Sequence, residues 1–214
     1  DRFYSDEMLI GILDKLRRSC PELAVTIAMG ERSRRSYERL FTAGAEGYIL
    51  LQETADRERY EAIHSENLSF DRRLHCLNEI RDVGFRTGCG FLAGLPGQTA
   101  KDLARELKFL EEFQPHGVEL VPMGAEPERI EYLISLIRLL LPEALICAPE
   151  NRPGEILAGA NVVTLSLIRS RRSFPCCGGC RADGPADPEL LASLRRSLSD
   201  VGFQVTTDPA PWNG

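Results

Sequence analysis

The chain lacks an apolar run long enough to enter a membrane. Its longest, Leu133 to Ile146, is broken by Arg138, Pro142 and Glu143, and a spanning helix needs ~18 uninterrupted residues. It lacks a basic surplus as well. Its 26 Lys and Arg against 32 Asp and Glu give a net charge of −6, the reverse of the footprint left by a binder of phosphate backbone. Neither a membrane nor a nucleic acid is therefore an expected partner. The basic knot Arg169 to Arg172 reads as a solvated turn. Histidine is scarce, and His64, His75 and His116 have no acidic or cysteine partner at ligand spacing in the sequence, which reads as ordinary surface or half-buried histidine. There is no Gly-x-Ser-x-Gly elbow to support a serine hydrolase, and no Gly-Lys-Ser/Thr to make a Walker phosphate loop. Nothing resembling a signal or transit peptide opens the chain. The cysteine count of seven is odd and low for a secreted disulfide scaffold, so a reducing cytoplasm is the expected setting.

What is present is alternation. Helical spacing over Ser5–Arg18, Arg32–Ala43, Asp56–His64, Ser69–Val83, Thr99 onward and Glu128–Leu141 separates short apolar runs at Leu23–Met29, Gly47–Leu51, Arg86–Ala93, Val118–Val121, Leu145–Ala148 and Asn161–Leu165. Strands alternating with helices pair in parallel through crossovers, and burial on both faces makes their runs continuously apolar. The fold class is thus α/β. No run carries the charge or proline of a protected edge, which favours an incomplete TIM-type (β/α) barrel of about six parallel strands over an open sheet, since closure needs eight. A C-terminal helix follows, opened by Asp187-Pro188-Glu189 and ending in Asp200-Val201-Gly202-Phe203, an echo of Asp82-Val83-Gly84-Phe85. The echo reads as two helices that stop in the same way. The composition changes after Thr164, so the chain divides into residues 1–165, the partial barrel, and 166–214, a cysteine-containing loop with a helix. The first residue is Asp1 rather than methionine, which reads as a fragment or a processed chain.

In a barrel of this type, residues just past the strand ends face the active site. Here they are Gly30-Glu31, Gln52-Glu53-Thr54, Gly94 to Thr99, and Met123-Gly124. Glu31 and Glu53 would converge at one mouth, where carboxylates accept hydrogen bonds from hydroxyls or an amino group. Arg73 could hold a ligand carboxylate in a two-pronged grip. Each has a plainer alternative. The acids could be helix-start residues facing a macrodipole, Gly94–Thr99 a tight strand-to-helix link, and Arg72 and Arg73 solvated charges.

The order of these motifs resembles a known family. Gly44-Ala45, Gln52-Glu53-Thr54, Ser69-Phe70-Asp71 with Arg73, Gly88-Cys89-Gly90, Gly94-Leu95-Pro96-Gly97-Gln98-Thr99 and Gly159-Ala160-Asn161-Val162 look like a radical S-adenosylmethionine (SAM) enzyme of the group that includes the FeFe-hydrogenase maturase HydE, the methylornithine synthase PylB and, more distantly, biotin synthase. The resemblance implies a barrel holding SAM and a 4Fe-4S cluster, with cleavage of SAM to a 5′-deoxyadenosyl radical. It implies that Glu53 meets the SAM ribose, that Arg73 meets the methionine carboxylate, and that Gly94 and Gly97 belong to the barrel-top loop. Glu31 joins them as a cofactor-binding candidate. A small-molecule substrate, an electron donor and other maturation proteins are the implied partners.

The family holds its cluster with Cys-x3-Cys-x2-Cys, a spacing absent from this sequence, so the ligands are expected in a missing N-terminal part. This chain alone is then expected to be inactive, and no residue in it is singled out as catalytic. The leading expectation is the C-terminal part of a HydE-like maturase. The alternatives are a PylB-like methylornithine synthase and a non-catalytic SAM-binding remnant. Cys176, Cys177 and Cys180 offer Cys-x2-Cys spacing for a metal or auxiliary cluster, or form only a thiol-rich loop, because no histidine stands near to complete a tetrahedral site.

Overall fold

The architecture follows from helices that are told where to start and from strands too apolar to face water. The computed structural model describes residues 4–64, 68–164 and 188–206. In chain order it has α1 (Asp6–Ser19), β1 (Thr26–Ala28), α2 (Arg34–Thr42), β2 (Gly47–Ile49), α3 (Arg57–Ile63), α4 (Phe70–Val83), β3 (Arg86–Ala93), α5 (Ala100–Phe113), β4 (Gly117–Pro122), α6 (Pro127–Leu140), β5 (Leu145–Ile146), α7 (Pro153–Leu157) and α8 (Pro188–Asp200). Ser5, Ser33, Asp56, Ser69 and Thr99 cap α1 to α5, each side chain accepting a bond from an amide three residues on. Such a cap contributes about 1 kcal/mol. Asp102 completes a reciprocal box with Thr99. The helix-end echo is structural: Gly84 and Gly202 both take positive φ, and Phe85 and Phe203 each donate their amide to a carbonyl five residues back, Ile80 and Leu198.

The five strands form one parallel sheet in sequence order, β1-β2-β3-β4-β5. β3 and β4 pair over six residues, Gly88–Ala93 with Gly117–Pro122. The sixth expected run, Asn161–Leu165, shrinks among the described residues to one bridge, Val162 with Cys147. The Asn161 side-chain oxygen itself takes a ladder bond, accepting from the Ile146 amide at 2.8 Å. The sheet so formed is the arc of the TIM-type barrel, and it is incomplete. The five-residue α7 went unread in the sequence.

The core gathers around β3, where Cys89, Phe91 and Ala93 are fully buried. Tyr37, Tyr48 and Phe85 meet edge to face at 5.2 and 5.6 Å between ring centres, a geometry that adds about 0.5–1.5 kcal/mol per pair beyond burial. Leu194 and Leu198 of α8 belong to the same core as the strands. Because every strand runs the same way, the segments after β1, β2, β3 and β4 emerge along one edge. No helix among the described residues is long and apolar enough to cross a membrane.

Candidate functional cleft at the strand ends

β2 does not simply stop at Ile49. Leu50 donates its amide to Gly88, but the next bond to β3 comes from Glu53, whose amide reaches Gly90 at 3.0 Å. Three residues on β2 therefore span two on β3, a one-residue bulge. The Gln52 side chain fills the gap by accepting the Gly90 amide at 2.8 Å. Glu53 bridges Phe91 and takes φ = 67°, a left-handed conformation that costs a side-chain-bearing residue roughly 1–2 kcal/mol. Bulges beside functional sites re-aim a side chain, and this one turns Glu53 toward α4. The next turn is pinned from α5: buried Glu106 accepts the Thr54 hydroxyl and the Ala55 amide, each at 2.8 Å. Burial pushes the Glu106 carboxyl above its usual range, although the Ala55 amide and Thr54 hydroxyl partly oppose this.

The aimed side chain meets the arginine singled out in the sequence. Arg73 is buried at 6% exposure. Its Nε donates to Glu31 Oε1 at 2.8 Å, and its Nη1 donates to Glu53 Oε1 at 2.9 Å and to the Leu51 carbonyl. Burial opposes charge on this guanidinium, yet Glu31 and Glu53 outweigh it and hold the group above its ordinary value. Neither acid serves as a helix start, because Ser33 and Asp56 cap the helices that follow. Arg72, unlike its neighbour, is half exposed and donates to the Arg32 carbonyl at 3.1 Å.

A cleft of about 310 Å3 opens onto this cluster. Met29, Ile49, Leu92 and Met123 supply apolar wall, and Glu53 and Arg73 supply charge. A broader hollow of about 550 Å3 lies between α1 and α2 near Ile10 and Arg39, away from the strand ends and their chemistry. Glu31, Glu53 and Arg73 are thus brought together. Gly94 and Gly97 do not line the cleft. Gly94 packs so closely that a Cβ there would come within 2.7 Å of the Ala125 amide nitrogen, and its own amide is taken by Gln98 Oε1 at 2.7 Å. The Gly97 carbonyl accepts from Arg59 at 3.2 Å. Cys176, Cys177 and Cys180 lie outside the described residues, and among those described no group of three His, Cys, Asp or Glu could hold a metal ion.

Two members of the site escaped the sequence reading. His64 has an acidic partner after all: its Nε2 lies 2.9 Å from Glu53 Oε2. Only the bulge makes that pairing, so no local signal announces it. Glu106 did leave a trace, because it interrupts the apolar stripe Leu103, Leu107 and Leu110 of α5, and an acid there needs partners across the interface.

No protein-family model matches the chain. It is 32% identical over 180 residues to the [FeFe] hydrogenase maturase subunit HydE of Thermotoga maritima, covering 77% of this chain and 50% of that protein. It is 28% identical over 163 residues to the biotin synthase of Gluconobacter oxydans, covering 66% and 48% respectively. The chain therefore spans about half the length of these curated relatives. The crystal structure of methylornithine synthase (PylB) superposes with a TM-score of 0.76 at 21% identity, over 94% of this chain and 64% of that one, a likeness of fold.

Proposed function

From a chain homologous to the radical SAM enzymes HydE, biotin synthase and methylornithine synthase, we propose that the cleft is the SAM-binding face of such an enzyme, with Glu53 receiving the ribose hydroxyls and Arg73 the methionine carboxylate. The observation that carries this reading is the meeting of Glu31, Arg73 and Glu53, distant in sequence, at one mouth. The donor set suits the ligand. A carboxylate accepts from a diol, a guanidinium grips a carboxylate, and Met29, Ile49 and Leu92 offer an apolar wall to a nucleobase. Arg73 spends Nε and Nη1 on its two acids and Leu51, so a ligand carboxylate engages Nη2 or displaces Glu53 from Nη1. Gly94 and Gly97 contribute through the shape of the rim, by holding the β3 loop closed beside the cleft.

SAM bound beside a 4Fe-4S cluster supplies a 5′-deoxyadenosyl radical to this family. The described residues do not fit the cluster, since no three ligands gather among them, and its thiolates must come from elsewhere. The role of this chain's residues is to bind and orient. Within the family, the 32% identity to HydE favours a maturase acting on a small molecule with an electron donor and other maturation proteins. The PylB fold likeness keeps a methylornithine synthase as the second reading.

Calorimetric titration of the chain with SAM and with adenosine tests the site. Saturable binding of both is expected, with Glu53→Gln weakening adenosine about tenfold, the scale of a hydrogen bond to a charged acceptor. No binding of either ligand overturns the reading.

A further inference from the structure

We propose that His64 is a proton-operated latch on Glu53, a positioning residue that occupies the carboxylate while its ring is doubly protonated and frees it for a ribose diol when Nε2 loses its hydrogen. The inference deepens the nucleoside reading of the cleft and rests on it.

The argument begins with what each ring nitrogen faces. Nδ1 lies 2.9 Å from the Tyr60 carbonyl oxygen, and Nε2 lies 2.9 Å from Glu53 Oε2. A carbonyl oxygen and a carboxylate oxygen only accept, so both bonds form only when both nitrogens carry hydrogen. Either neutral tautomer points a lone pair at an acceptor. The Nδ1–H tautomer keeps the bond to its own helix end and sets Nε2 against Glu53, which opens the pair. Tyr60 holds the ring plane by stacking on it at 4.1 Å, 18° from parallel, and the His64 side chain is only 11% exposed.

The surroundings decide which partner of Glu53 yields. From α4, Arg73 holds Oε1 and is itself fixed by Glu31 and the Leu51 carbonyl. Its guanidinium also lies 5.6 Å from the centre of the Tyr60 ring. From the β1 loop, Glu31 faces Arg73, with Arg72 3.7 Å away. From α3, Tyr60 stays neutral, its hydroxyl pushed up to about 12 chiefly by burial. Among these groups His64 is the one with both ring nitrogens against acceptors, so its pair of bonds depends on a second ring hydrogen. It also sits at the C-cap of a seven-residue helix rather than inside one. A diol that donates to Oε2 along the lone pair that Nε2–H now takes displaces His64, because Arg73 stays fixed on Oε1 by its other partners.

Binding then expels a proton wherever the ring is charged, so affinity rises with pH, by at most tenfold per unit for a single proton. Adenosine is the probe, since it is uncharged across this range. It is titrated from mildly acidic to mildly alkaline solution in buffers of different ionisation enthalpy. The wild-type chain is expected to tighten with pH and to release up to one proton. His64→Phe keeps the stacking ring, and it is expected to bind at every pH as the wild type does in alkali. His64→Gln keeps a donor that cannot titrate, and it is expected to bind weakly at every pH. A wild-type profile that is flat, or that survives in His64→Phe, overturns the latch. Should adenosine and SAM both fail to bind, the nucleoside reading falls. The latch is then decided by 15N shifts of the ring at mildly acidic pH. Two protonated nitrogens in the wild type and one in Glu53→Gln support it, and the same state in both overturns it.

Discussion

At the ends of β1 and β2 the rim carries charged side chains, and at the end of β3 it is a loop closed on its own backbone. On the first side Glu31, Arg73, Glu53 and His64 form a chain of bonded polar groups, of which Arg73 and Glu53 line the cleft. On the second, Gln98 closes the loop on itself. Its oxygen takes the Gly94 amide and its nitrogen donates to the Leu92 carbonyl at 2.9 Å, while Arg59 holds the Pro96 and Gly97 carbonyls. The glycine-rich motif looks in sequence like a ligand cradle, yet its polar groups are consumed by its own turn. The acids look like helix starts, yet they are delivered to an arginine. Binding chemistry is concentrated on the side where charge is left in partial contact with the cleft.

The sharpest way to break that contrast is to remove the charge at its centre. Arg73→Ala strips Glu31 and Glu53 of their shared partner and leaves the Leu51 carbonyl without its donor. Breaking a buried pair on one side costs about 3–5 kcal/mol, read as a lower urea midpoint. Adding Glu31→Gln and Glu53→Gln to that variant removes the unpaired charges and is expected to recover part of the loss. If Arg73→Ala unfolds no more easily than the wild type, the cluster is not the buried network described.

Glu106 supports the charged side from beneath, and its loss ranks next. Glu106→Ala leaves the Thr54 hydroxyl and the Ala55 amide without their acceptor, a loss of about 2–3 kcal/mol. Its titration has a defined sign. Burial raises the folded carboxyl above its unfolded value, so between the two the folded state binds more protons and stability declines as pH rises through that interval. Glu106→Gln cannot titrate, and its stability should lack that decline when unfolding is compared across acidic to neutral pH.

The backbone side is expected to respond differently. Gln98→Ala orphans the Gly94 amide and relaxes the turn, at about 1–2 kcal/mol, while the affinity for SAM stays within about twofold. A larger drop in affinity would show that the β3 loop contributes to the ligand after all, and the two sides of the rim would no longer differ in kind.

What the sequence made legible follows the same division. Features set by near neighbours were readable: the full extent of β3 and the common ending of α4 and α8. That Glu53 and Arg73 face one mouth was readable from the strand-end rule and from family resemblance. The bulge was not, because it exists only in the register between β2 and β3, where Gln52 replaces a backbone acceptor for Gly90. His64 was hidden for the same reason, since its partner is selected by the bulge. Among the described residues the sixth run pairs only through the Val162–Cys147 bridge, and at its start the Asn161 side chain takes the Ile146 amide in place of a backbone carbonyl, a substitution the apolar pattern does not show.

The bulge can itself be tested at the residue that bears its strain. Glu53→Ala and Glu53→Gly both delete the carboxylate, so both lose the Arg73 and His64 bonds equally. They differ only in the backbone at φ = 67°, which glycine adopts freely and alanine does not. The glycine variant should therefore be the more stable of the two, by about 1 kcal/mol, even though glycine is ordinarily the worse residue beside a strand. Paired urea titrations read this directly. Equal stabilities would mean that the turn relaxes once the carboxylate is gone, and that the ion pairs force the conformation. The predicted gap would mean instead that the Gln52 and Glu106 bonds hold the backbone whatever side chain it carries, so that the charged side of the rim, like the other, rests on a turn closed before any ligand arrives.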